Sequence, residues 1–229
     1  MRAMFHSQLE GLINNLSRMT RQTGQMMTHA SIALHQADHV LAHLVITERS
    51  RMNRSLAAVE RRCVSLLAPQ APVARDLRVV VAVLRALSHT HRMGSLARHV
   101  AVMAQFDHPS PMACGKVRPL LARMSLLSSQ LADDAATAIE HQDPLSACRL
   151  AVTDDELDTL VRQLLTTVRG ENWTDGVGPA VDAALLARYY QRFGDHAVAI
   201  AQQACYLITG QLPQPTAAQP ASRHAHLPP

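Results

Sequence analysis

The segment Arg92-Met93-Gly94-Ser95-Leu96-Ala97 returns one hundred residues later as Arg192-Phe193-Gly194-Asp195-His196-Ala197, and the apolar pair Val100-Ala101 returns as Ile200-Ala201. A repeat at that distance in a chain of 229 residues points to two homologous units of about 100 residues each. Both copies lie in long stretches with few helix breakers, rich in Ala, Leu, Arg and Gln, a composition that favours helix. Glycine inside a helix costs roughly 1 kcal/mol relative to alanine. Its recurrence at the same place in both copies therefore predicts that a neighbouring helix comes close there.

The periodicity supplies three helices to each unit. Leu9, Leu12, Leu16, Met19, Met26 and Met27 form the apolar stripe of a first helix over Phe5 to about Leu34. Asp38 is placed to cap a second, ending near Leu67, where Ala68-Pro69-Gln70-Ala71-Pro72 breaks the pattern. A third follows from Pro72 to Phe106, with Leu77, Val80, Val81, Leu84 and Leu87 on one face. Asp107-His108-Pro109-Ser110-Pro111 is the clearest boundary. Beyond it, helices are predicted over 117–141, 144–168 (Asp143 as cap, Pro144 in the first turn) and 179–210, with a loop at 170–178. Hydrophobic residues make up 48% and aromatics only 3%, so the core must be Leu, Val, Ala and Met, which argues against a β sandwich or barrel. The expected fold is all-α: two homologous three-helix bundles in tandem, at 1–109 and 110–210. A tail of Pro, Ala, Gln and His at 211–229 is expected to be disordered.

Charge is divided unevenly. Residues 1–109 carry 13 Arg and no Lys against 6 acids, a net +7, whereas residues 110–229 carry 9 Lys plus Arg against 12 acids, a net −3. The four cysteines, at 63, 114, 148 and 205, are too scattered for a C-x-x-C pair and read as reduced thiols. No long apolar core marks a signal peptide, and the apolar run 77–87 is too short and too interrupted by Arg to span a bilayer. A cytoplasmic protein is expected, with membrane contact only through partners.

Pro72-Val73-Ala74-Arg75-Asp76-Leu77-Arg78 resembles the P-x-A-x-D-L-R stretch that opens the third helix of PhoU proteins. Arg192-Phe193-Gly194-Asp195-His196-Ala197 resembles the E-R-I-G-D-H-A signature of the same family, with Gln191 in the Glu place. The resemblance covers about residues 5–210. It implies a non-enzymatic regulator of phosphate uptake and phosphate-starvation signalling, an adaptor between the ATPase of a phosphate ABC transporter and a sensor histidine kinase. It also implies a homodimer, and no nucleic acid among the partners.

The resemblance further implies a possible metal site, since the family often binds cations through an E-x-x-x-D motif on the third helix of each half and an acidic pair on the second. Acids at i and i+4 share one helix face, and two such pairs on adjacent helices can enclose a hard cation. In the second half Asp154 and Asp158 fill the pair, Asp195 fills the Asp, and Gln191 replaces the Glu. The first half has Arg49, Asn53, His91 and Ser95 instead. No cofactor is required, and a divalent or iron cation is expected in the second repeat only. The bland alternative is an acid patch neutralised by Arg188 or Arg192 and water. His35, His39 and His43, and the group His89, His91 and His99, read as surface histidines. Asp133-Asp134 and Asp154-Asp155-Glu156 read as solvated faces. No G-x-S-x-G, P-loop or Cys-based triad is present, so no enzyme is expected. Two rival functions remain: a metal-storing or metal-sensing bundle, which the first half disfavours, and a DNA-binding repressor suggested by a pI of 9.2. The predicted helices are too long for a groove reader.

Overall fold

The computed structural model describes residues 2–70, 75–106, 115–143 and 145–211, and every regular element among them is helical. The six helices are α1 (Arg2–Gln36), α2 (His39–Gln70), α3 (Arg75–Met103), α4 (Arg118–His141), α5 (Ser146–Arg169) and α6 (Val177–Thr209). The predicted boundary at Asp107–Pro111, the opening Pro72–Ala74 of the family motif, Pro144 and the tail beyond Gln211 lie outside the described residues.

Local chemistry accounts for the start of α2 and the end of α6. Asp38 Oδ1 accepts the backbone N–H groups of Val40 at 3.0 Å and Leu41 at 2.9 Å, capping α2 as expected. The turn before it needs Ala37 at φ 53°, a left-handed conformation unusual for a residue with a Cβ. Gly210, at φ 73°, closes α6 by donating its N–H to the Tyr206 carbonyl at 2.9 Å. Helix α1 starts at Arg2 rather than Phe5 and α3 ends at Met103 rather than Phe106, and two further differences have a local cause. α2 continues through Pro69 to Gln70, because a proline in the last turn removes a single hydrogen bond from a helix already ending. α6 starts at Val177, which puts Pro179 in the first turn, where its missing N–H has no acceptor to lose.

The helices form two three-helix sets, α1-α2-α3 and α4-α5-α6. They are joined face to face: α1 packs on α4, and α3 packs on α6. Four helices (α1, α3, α4 and α6) thus share the centre, while α2 and α5 flank it. One continuous buried cluster runs through both sets. It is built mainly of Leu, Val, Ala and Met, with three aromatics, Phe5, Tyr190 and Phe193. The flexible thioethers Met19, Met26, Met27, Met52, Met93 and Met124 fill what so few aromatics leave.

Small and hydroxyl residues let the halves come together. A methyl on Gly24 of α1 would lie 2.9 Å from the Ala132 Cβ of α4, so only glycine permits this spacing. Nearby, Ser17 Oγ donates to the Ala136 carbonyl at 3.0 Å, and Thr28 and Ser129 hydroxyls meet at 2.9 Å. The buried Tyr190 hydroxyl of α6 meets the Ser31 hydroxyl of α1 at 2.9 Å, so the phenol reaches the opposite half with its polar atom satisfied.

Candidate functional site

The two copies of the repeated motif lie on α3 and α6, each facing its own outer helix. On α6, Gly194 leaves room for side chains from two helices. A Cβ there would lie 2.8 Å from Asp154 Oδ1 and from Leu157 Cδ2, both on α5, and 3.0 Å from Leu131 Cδ1 on α4. The close approach expected at this glycine is thus made by side chains, with the Asp154 carboxylate drawn down against the α6 backbone.

Asp154 is therefore not part of a solvated face, which corrects that expectation. Its Oδ1 is buried with no hydrogen-bond partner. Burial, followed by the neighbouring charges of Asp195, Asp158 and Asp155, pushes its pKa up to about 7. A carboxyl placed this way holds a proton near neutrality unless a cation offsets the charge. Glu156, by contrast, is half-exposed and pairs with Arg123 at 2.7 Å.

Gln191, one turn before Asp195, donates its amide Nε2–H to Asp158 Oδ1 at 2.5 Å and accepts from Arg188 at 2.6 Å. The four residues singled out on α5 and α6 (Asp154, Asp158, Gln191 and Asp195) are thus joined by hydrogen bonding or charge. The amide engages Asp158 from the donor side, which is opposite to what a shared cation needs. Among the described residues no three His, Cys, Asp or Glu side chains gather as a metal centre requires.

On α2 and α3 the same positions carry inverted chemistry. Arg49, a charged side chain covered to 6% exposure, takes the place of Asp154. Its stem lies over Gly94, where a Cβ would be 3.3 Å from Arg49 Cδ, matching Asp154 over Gly194. The guanidinium donates to Asn53 Oδ1, to the His91 carbonyl at 3.1 Å and to Ser95 Oγ at 2.9 Å. All three acceptors are neutral. Burial and the nearby Arg98 both lower the Arg49 pKa, and burial, then Arg49 and Arg92, lower that of His91. The four positions Arg49, Asn53, His91 and Ser95 form one hydrogen-bonded set that repels cations.

The histidine groups do not assemble. His35 ends α1 while His39 and His43 lie on α2. His91 faces Arg49, whereas His99 packs against Tyr189 with the rings tilted by 54° and their centroids 5.1 Å apart. His89 instead meets His196 across the α3–α6 seam, Nδ1 to Nδ1 at 3.1 Å. Burial, then His89, Arg192 and Arg92, push the His196 pKa down to about 4. No spacing rule within one helix joins His89 to His196; only the antiparallel register of α3 against α6 does. Among the described residues no helix is long and apolar enough to cross a membrane.

Comparison with known proteins covers both halves. The PhoU domain family model matches twice, over residues 16–104 and 121–204. The chain is 38% identical over 213 residues to the phosphate-specific transport system accessory protein PhoU homolog 2 of Mycobacterium tuberculosis, covering 93% of this chain and all of that one. It is 37% identical over 214 residues to PhoU homolog 1 of Mycobacterium leprae, covering 93% of this chain and 96% of the other. The crystal structure of PhoU from Pseudomonas aeruginosa superposes with a TM-score of 0.79 at 25% identity, over 90% of this chain and all of that one.

Proposed function

The chain belongs to the PhoU domain family, and from that membership we propose that it restrains phosphate uptake and phosphate-starvation signalling as a non-enzymatic adaptor. The observation that carries this reading is that the likeness to phosphate-specific transport accessory proteins runs through both halves and 93% of the chain. Its role is regulatory. The adaptor bridges the ATPase of a phosphate ABC transporter and a sensor histidine kinase, and works as a homodimer. The long outer helices α2 and α5, each packed on two neighbours, leave the extended surfaces that such docking needs. Residues 1–109 and 110–210 act as two repeat units of this scaffold.

Deleting the gene is expected to raise expression of phosphate-uptake genes severalfold in phosphate-rich medium, measured by transcript quantification. Unchanged expression in a strain lacking every copy of the family would refute the reading. Affinity capture from phosphate-replete and phosphate-starved cells then tests the two partners by name.

A cation belongs to this proposal only on the α5–α6 face, where the orphaned Asp154 oxygen and the Asp195 and Asp158 charges lie. The first half offers a buried guanidinium at the matching place. In Mn²⁺ titration by calorimetry, Asp195→Ala is expected to abolish binding and His91→Ala to leave it unchanged. Loss in His91→Ala alone would assign the cation to the wrong half.

A further inference from the structure

Where the α5–α6 face carries Asp154, Asp158, Gln191 and Asp195, the α2–α3 face carries Arg49, Asn53, His91 and Ser95, and its central group is a covered cation with no counter-charge. Among the described residues Arg49 is the only buried charged side chain. The ion pairs found in those residues join Arg21 to Glu140, Arg123 to Glu156 and Arg149 to Asp143, and none of them reaches Arg49. Its three hydrogen bonds go to an amide, a carbonyl and a hydroxyl, and the charge acting on it is that of another guanidinium, Arg98. A guanidinium carries five N–H donors, and those three bonds leave two of them. Burying a charge is costly unless an opposite charge is near. The residues around it add donors: Asn53 uses only its oxygen on Arg49, which leaves the amide N–H₂, and Arg98 and His91 are exposed at the same face. No acid is recorded at any of these positions.

From this arrangement we propose that the α2–α3 face binds a tetrahedral oxyanion of the phosphate class, held by Arg49 with Asn53, Ser95, His91 and Arg98 around it. The anion supplies the missing counter-charge, and guanidinium recognises oxyanions by charge-assisted hydrogen bonds of good geometry. The second repeat has no equivalent, because Asp154, Asp158 and Asp195 stand where an anion would be repelled. The preference for an anion follows from the site itself; its identification with inorganic phosphate rests on the regulatory reading above. Binding there gives such a regulator a direct contact with the ion whose uptake it restrains.

The test is calorimetric titration of the full chain with inorganic phosphate, against sodium chloride at matched ionic strength, and thermal unfolding in the same buffers. Wild type is expected to bind phosphate and to unfold at a higher temperature in its presence, with no such shift in chloride. Arg49→Gln is expected to bind about tenfold more weakly or worse. Ser95→Asp places next to the guanidinium the carboxylate that Asp195 represents in the other half. It is expected to unfold at a higher temperature than wild type without phosphate, and to lose the phosphate response. That variant keeps the test decisive if Arg49→Gln fails to fold. Absence of a phosphate-specific response in wild type, or an equal response in Ser95→Asp, overturns the proposal. Either result leaves the regulatory reading standing, because gene deletion tests that separately.

Discussion

Phe193→Ala is expected to lower the free energy of unfolding by about 3–5 kcal/mol, the range for emptying a fully buried aromatic site. Phe193 has no exposed surface and lies beside Gly194 on the only helix of the second set that packs on both α4 and α5 as well as on α3. Helix α6 packs on three other helices within one continuous core, so the space left cannot close by moving one element. The loss is read from the denaturant midpoint, with the slope of the transition unchanged. Leu126→Ala serves as the control: at 64% exposure that leucine has little to lose, and a change within roughly 0.5 kcal/mol is expected. A Phe193→Ala cost below about 1 kcal/mol would mean that the core near the second motif is looser than described.

The second large effect depends on pH. An ordinary aspartate ionises near pH 4, so the unfolded chain loses the Asp154 proton there. The folded chain holds it up to about pH 7, because the carboxyl is partly buried and faces Asp195, Asp158 and Asp155. Below about pH 4 both states are protonated and Asp154 contributes no difference. As pH rises toward 7 the folded state loses stability, and above 7 the full penalty remains. Asp154→Asn removes the ionisation. In chelator-treated protein it should be more stable than wild type by about 1–3 kcal/mol at pH 8, a figure reduced for partial solvent access. At pH 4 the two should unfold alike. A gain of the same size at both pH values would show that charge is not its cause.

Periodicity, breakers and the motif spaced by one hundred residues were enough to derive six helices, their order and the pairing into two sets. Those features depend on local backbone preference and on which face of a helix is apolar, and both are written in neighbouring residues. The same is true of the Asp38 cap, since an Asx side chain reaches only two or three residues along. The inequality of the two halves was also legible, because Arg49, Asn53, His91 and Ser95 can be aligned by eye with Asp154, Asp158, Gln191 and Asp195.

The state of those groups was decided by tertiary structure. Nothing in the Asp-Asp-Glu run at 154–156 distinguishes its first member. Only the seating of α5 on α6 at Gly194 covers Asp154 and leaves Glu156 to pair with Arg123. Likewise Arg49 reads as one solvated arginine among thirteen in the first half until α3 closes over it at Gly94. The His89–His196 contact and the Gly24–Ala132 approach join residues 107 and 108 positions apart, set by how α3 lies on α6 and α1 on α4. Desolvation and charge coupling act through space over a few ångströms, whereas a sequence records distance along the chain. A motif therefore fixes which groups are present, and the packing of helices fixes whether each is charged, paired or covered.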